Sequence, residues 1–193
     1  MNATSAAVAN PSASEPRAAL PLNLQSNDFV LFGLPERFAQ DRATLDQRWK
    51  DLQRQVHPDR FAPDAATAQR VAMQWSVRIN EAYQRLKHPL KRAAYLCELR
   101  GAPIQAENNT AMPAAFLMQQ MAWREALDEA TSAADLQALK AQTQSSAREL
   151  TAQLAQALDT DGDATRAAQS VRALMFVERF ASEVEDRLDQ LGQ

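Results

Sequence analysis

The side chains with the widest chemical reach in this 193-residue chain are few. His57 and His88 are the only imidazoles, and Cys97 is the only thiol. One cysteine cannot form an internal disulfide or a multi-cysteine zinc or iron–sulfur site. The three residues are too few and too differently surrounded for a metal site, and Cys97, among Tyr95, Leu96 and Leu99, reads as a small core residue. No nucleophile stands beside a base in a supporting context, so no catalytic turnover is expected. Asp159-Thr160-Asp161-Gly162-Asp163 has the look of a calcium loop. Counted from Asp159, however, Ala164 and Ser170 stand where such a loop needs glycine and a carboxylate. A polar interhelical turn with Asp163 as a cap fits better. What remains is recognition chemistry, concentrated in His57-Pro58-Asp59. The proline fixes the backbone, the imidazole offers a hydrogen-bonding ring, and the carboxylate can accept a bidentate pair from an arginine. Lys50, Arg54 and Arg60 form a positive rim around them, with Arg48 on a flank. Such a rim steers an acidic partner surface.

Those residues need a loop between two helices. Asp41 can cap a helix whose apolar positions Leu45, Trp49, Leu52 and Val56 fall on one face. It must stop near Val56, because Pro58 pushes His57 out of the helical region. At roughly 100° per residue, Lys50 and Arg54 then point away from that face. A second helix, from about Ala65 to Leu86, carries Val71, Trp75, Ile79, Ala82, Tyr83 and Leu86 on one side. Together the two make an antiparallel hairpin. A short helix from Asp28 ends at Gly33, and another begins at Pro89 and ends before Gly101.

Composition agrees with an all-α chain. There are four glycines and nine prolines, with no proline after Pro113. Both residue types are excluded from helix interiors, and here they punctuate them. A chain so poor in glycine lacks the turns of a β-sandwich and the Gly-rich loop of a nucleotide site. Residues 1–26, rich in Ala, Ser, Asn and Pro, read as a disordered tail. Neither a secretory h-region nor an apolar run near the ~20 residues of a membrane span is present, so a cytoplasmic location is expected.

The net charge of −3 gives no reason to expect a nucleic-acid partner and conceals an asymmetry. Asp28 to Arg100 holds thirteen Lys/Arg against nine Asp/Glu, whereas Gly101 to Gln193 holds seven against fourteen. Two domains are therefore expected: 27–100, then a linker at 101–112, then 113–193 as three long helices. The first of these runs from about Pro113 to Ala130. Ser132 and Asp135 can cap the second, which carries Leu136, Leu139, Thr143, Ala147, Leu150, Leu154 and Ala157. The third carries Leu174, Val177, Ala181, Val184, Leu188 and Leu191 at bundle spacing.

The tripeptide in this hairpin resembles the J domain, the unit that activates DnaK-type ATPases. The resemblance extends through Phe32-Gly33-Leu34-Pro35, Asp51-Leu52-Gln53-Arg54-Gln55, His57-Pro58-Asp59-Arg60-Phe61 and His88-Pro89-Leu90-Lys91-Arg92-Ala93. It continues in Phe116-Leu117-Met118, Arg124-Glu125 and Leu127-Asp128-Glu129. Together these are similar to the HscB family, from about Asp28 to the C-terminus. The resemblance implies a co-chaperone whose J domain engages HscA, a specialised DnaK-like ATPase, and whose three-helix bundle binds the iron–sulfur scaffold IscU. It implies chaperone contacts from Arg48, Lys50, Arg54, His57, Pro58, Asp59 and Arg60, and no cofactor. Val56 stands where J domains often carry tyrosine, and Arg60 where lysine is common; both keep the physical character required.

The helix from Pro113 carries a second apolar face. Phe116, Gln120, Trp123 and Leu127 share an arc that suits the core. Leu117, Met118 and Met121 fall opposite, beside Glu125, Asp128 and Glu129, and Phe176 points away from the seam of the last helix. An outward Met/Leu/Phe patch beside carboxylates suits a docked partner; packing against the first domain or filling the bundle is the alternative. In the resembled family these positions form the scaffold-binding face, which assigns Leu117, Met118, Met121, Glu125, Glu129 and Phe176 here. Ala122 departs from an expected acidic residue, which weakens any electrostatic share. A monomer is expected. Two other readings stay open: a J-domain protein for another client, and a helical interaction protein without a chaperone partner.

Overall fold

The computed structural model describes residues 23–57, 66–105 and 112–191, and all of its regular elements are helical. Pro58, Asp59 and Arg60 lie outside the described residues. The elements are α1 (Asp28–Phe32), α2 (Arg42–Val56), α3 (Ala66–Lys87), α4 (Pro89–Leu99), α5 (Ala114–Glu129), α6 (Ala133–Ala155), a π turn (Gln156–Asp161) and α7 (Ala164–Leu191).

Local chemistry sets the helix ends. The Asp41 carboxylate accepts from the Thr44 N–H at 2.8 Å at the start of α2. Ser132 and Asp135 form a reciprocal capping box on α6. Asp163 accepts from the Arg166 N–H at 2.9 Å and opens α7. α1 closes at Gly33, whose φ of 60° lies in the left-handed region that glycine adopts without a Cβ penalty. Pro89 occupies the first turn of α4, where its missing N–H costs nothing.

α2 and α3 form the antiparallel hairpin, with Leu45, Leu52 and Val56 facing Ile79, Ala82, Tyr83 and Leu86 in the core. Polar rungs hold its flank. The Asn80 side-chain oxygen accepts from Trp49 Nε1 at 2.9 Å and from Gln53 Nε2 at 2.8 Å, and Ser76 Oγ donates to Gln53 at 3.1 Å. These rungs correct the expected stripe of α3. Towards its N-terminal end, α2 lies over the Ala72/Ser76 side, so Ala72 is buried and Val71 is 45% exposed. α1 is fixed by an ion network centred on a buried carboxylate. Asp28 is fully buried and pairs with Arg78 at 2.7 Å and Arg85 at 2.8 Å, and its N–H donates to the Tyr95 hydroxyl. Removing an arginine leaves the Asp28 charge in the core with less compensation, so the network is sensitive to the loss of either one. Arg78 also donates to the carbonyls of Leu24 and Ser26, so the chain is already held on α3 at residues 24–26.

The second half is built on α6 against α7, with α5 laid across them. The first half of α7 is buried on nearly every side, at Ala167, Ala168, Ser170, Val171, Arg172, Ala173 and Leu174. A helix is buried all round only when it has neighbours all round; here α4 covers one side and α6 another. Further along, Phe180 is fully buried, whereas Leu191, expected on the seam, is exposed. Phe180 turns towards α5, where it stacks on Trp123 with ring centroids 5.7 Å apart. Cys97 lies in the packed region of α4, and burial pushes its thiol up to about 11. One contiguous apolar core runs through both halves.

Candidate binding surfaces

The first surface is the outer side of α2 and its C-terminal end. Its inner residues are committed to the hairpin, so the helix presents Lys50, Arg54 and Gln55 to solvent. His57 is the residue after the last turn, with φ −61° and ψ 129°, extended as a residue before proline must be. It is exposed at the tip of the hairpin. Arg48 is half-buried on the flank, as its place on the wheel predicts. Arg54 pairs with Asp51 at 2.5 Å and also reaches the Lys50 carbonyl at 3.4 Å, which holds its guanidinium against the helix. The basic end is thus partly ordered before any partner arrives. At the opposite end of α2, Asp46 accepts from the Tyr83 hydroxyl at 2.8 Å and pairs with Arg42. Those bonds hold the Asp46 carboxyl below its usual range.

The second surface is α5. Only Trp123 of this helix is buried. Phe116, Gln120 and Leu127 are half-buried beside it, completing the expected core arc. Leu117, Met118 and Met121 are 44%, 71% and 73% exposed, and Glu125, Asp128 and Glu129 are exposed around them. The outward apolar face read from the sequence is therefore present on α5. Phe176 corrects it in part. It is half-buried, edge-on to Phe116 at 5.9 Å and stacked on Phe180 at 6.0 Å. The physical reason is that α5 buries so few residues that aromatic rings must fill the gap to α7. Arg124 lies over both rings, 5.9 Å from Phe176 and 5.2 Å from Phe180, and pairs with Glu183 on α7. Phe176 thus props α5 and borders the outward face, while Leu117, Met118 and Met121 form it.

The sequence reading missed the contacts that join the two halves. Asp159 accepts from the Phe38 N–H at 2.6 Å and the Ala39 N–H at 2.7 Å. Arg100 donates to the Leu158 carbonyl at 2.5 Å and the Glu36 carbonyl at 3.2 Å, and Arg172 to the Ile104 carbonyl at 3.2 Å. The polar run at 159–163 was legible as a turn, but nothing local in it points to residue 38. Among the described residues no group of three or more His, Cys, Asp or Glu side chains is placed to hold a metal. No described helix is long and apolar enough to cross a membrane.

Comparison with known proteins agrees with this arrangement. Residues 112–185 match the model of the HSCB C-terminal oligomerisation domain. Co-chaperone protein HscB homologues of Burkholderia mallei and Burkholderia multivorans are 49% identical over 173 residues, covering 88% of this chain and 98% of each relative. The structure of chaperone HscB from Vibrio cholerae has a TM-score of 0.72 at 36% identity, covering 86% of this chain and 99% of that one. Human co-chaperone protein HscB has a TM-score of 0.75 at 27% identity, covering 96% and 94%. With a J-domain hairpin bearing His57 at its tip and a helical C-terminal domain bearing the α5 face, the chain belongs to the HscB family of co-chaperones.

Proposed function

We propose that this co-chaperone stimulates the ATPase of a DnaK-like chaperone, HscA, and delivers to it the iron–sulfur scaffold protein IscU, promoting cluster transfer. It does so in the cytoplasm, as a monomer and without catalytic chemistry of its own. In this reading residues 27–100 act as the J domain and 113–193 as the scaffold-binding domain. Arg48, Lys50, Arg54 and His57, with Pro58, Asp59 and Arg60, meet the ATPase. Leu117, Met118, Met121, Glu125 and Glu129 meet the scaffold, with Phe176 at the border of that face.

The observation that carries the reading is the exposed methionine face of α5. A helix that buries one residue and displays Leu117, Met118 and Met121 leaves unmatched apolar area. Methionine is flexible and polarisable and adapts to a partner surface. The flanking carboxylates orient that partner and exclude wrong ones. The α2 surface supports the other half of the reading, because a basic helix ending in His57 meets an acidic surface by charge.

Two variants separate the halves. His57→Gln is expected to abolish ATPase stimulation while leaving helical content and scaffold affinity unchanged; full stimulation by the variant would remove the role of the tripeptide. Combined Leu117→Ala, Met118→Ala and Met121→Ala is expected to weaken scaffold binding by calorimetry and leave scaffold-free stimulation intact. Unchanged binding would send the client to another face, as a J-domain protein for a different client would. Light scattering at assay concentration checks the monomer, and self-association lost in the triple variant would assign the α5 face to a second copy of the chain instead.

A further inference from the structure

The two halves are joined in two different ways. α4 lies on α7 through apolar contact, continuous with the core. α2 packs mainly on α3 and α1. The loop that feeds it is tied to the bundle by hydrogen bonds. The Asp159 carboxylate accepts from two successive backbone N–H groups of that loop, Phe38 at 2.6 Å and Ala39 at 2.7 Å. Arg100 bridges the same gap, from the Leu158 carbonyl to the Glu36 carbonyl. From the other side Arg92 donates to the Phe38 carbonyl at 2.7 Å, with its guanidinium over the Phe38 ring. Residue 38 is therefore held at its N–H, its C=O and its side chain. Asp41, two residues beyond Ala39, caps α2.

Asp159 is presented by an unusual element. The chain leaves α6 through the π turn, whose wider winding changes the direction of every side chain after it. Gly162, with φ 67°, then closes the turn. A carboxylate that accepts two backbone N–H groups makes charge-assisted bonds, roughly twice as strong as neutral ones.

We propose that Asp159 is a positioning residue: it fixes the angle between the basic face of α2 and the outward face of α5, so that a scaffold carried on α5 is presented to the ATPase engaged by α2. This rests on the function proposed above. It gives Asp159 a job that touches neither partner. Scaffold affinity depends on α5 and unloaded stimulation on α2, and both survive loss of the clamp. What is lost is the additional stimulation seen when scaffold is bound.

The test uses the full-length chain and Asp159→Asn, which keeps the size and one acceptor but removes the charge and one bond; Asp159→Glu, which keeps the charge, is the rescue control. Amide exchange at whichever of Phe38 and Ala39 loses its acceptor is expected to accelerate at least tenfold in Asp159→Asn. Nitroxides at Ala43→Cys on α2 and Ala126→Cys on α5, both exposed, report the angle, since the buried Cys97 thiol escapes labelling, and their distance distribution is expected to broaden. ATPase stimulation without scaffold stays within twofold of wild type, while the additional stimulation by bound scaffold falls at least threefold. Unchanged amide exchange, an unchanged distance distribution, or full scaffold-dependent stimulation in a chain whose distribution has broadened would each overturn the inference. A wild-type chain that never stimulates the ATPase would instead sink the functional reading and this use of the clamp with it, and the exchange and distance data would still tell whether Asp159 holds the angle.

Discussion

α2 and α5 are almost the same length, 15 and 16 residues, and spend their side chains in opposite ways. α2 buries Leu45, Leu52 and Val56, ties its flank to α3 through Asn80, and shows charge to solvent. α5 buries Trp123 alone, sets its Phe116 and Trp123 rings against Phe176 and Phe180 of α7, and shows methionine to solvent. The first helix is held firmly and, in the proposed function, meets its partner by charge. The second is held lightly and, in the same proposal, meets its partner by apolar area. Charge governs how fast a partner arrives and how salt affects it, whereas buried area and packing govern how long it stays. The proposed function, in which one face engages an ATPase briefly and the other carries a client securely, is served by this division.

The comparison can be broken at its weakest anchor. Trp123→Ala removes the one fully committed residue of α5 and is expected to cost about 3–5 kcal/mol, read from denaturant unfolding. A loss below 1 kcal/mol would mean that α5 is held by something other than its aromatic contacts. The recognition contrast is sharper in affinity. Met118→Ala with Met121→Ala should weaken scaffold binding roughly 10- to 100-fold, since each buried methionine is worth about 1.5–3 kcal/mol and part of that area is replaced by alanine. The change belongs in the dissociation rate, and surface plasmon resonance separates it from association. The smallest effect concerns charge. Lys50→Ala should slow association with the ATPase a few-fold, and rising salt should erase the difference as the Debye length shrinks to about 8 Å at physiological ionic strength. The same salt series should leave the apolar contribution of Met118 and Met121 in place. Equal salt dependence of the two methionine contributions and the Lys50 contribution would end the contrast.

Much of this was legible in the sequence because it is local. The stripe of α2, its cap at Asp41, the capping box at Ser132 and the cap at Asp163 each depend on residues within a few positions of one another. The outward face of α5 was legible for the same reason, since helical periodicity alone separates Met118 and Met121 from Trp123. What escaped lies in contacts between distant segments. Asp28 looks like an ordinary first-turn acid until Arg78 and Arg85 are brought over it. Asp159 looks like a turn residue until the α1–α2 loop is placed against it. Phe180 was passed over, and Phe176 read as pointing outward, because periodicity gives the face of a helix but not how many neighbours it has. α7 has more than one, so residues off its main seam are buried as well.

The all-round burial of α7 also bears on how the molecule can be taken apart. α4 and α7 pack on each other, and Leu96 and Cys97 of the one and Val171 and Leu174 of the other belong to a single buried core. Severing the chain between Arg100 and Met112 therefore does not yield two finished modules. Each fragment carries away half of a shared interior as a new, wet, apolar surface, and the loop around Phe38 departs without the carboxylate that satisfies its N–H groups. The intact chain is accordingly expected to melt in one cooperative transition rather than two, and its separated halves to be less soluble than the whole.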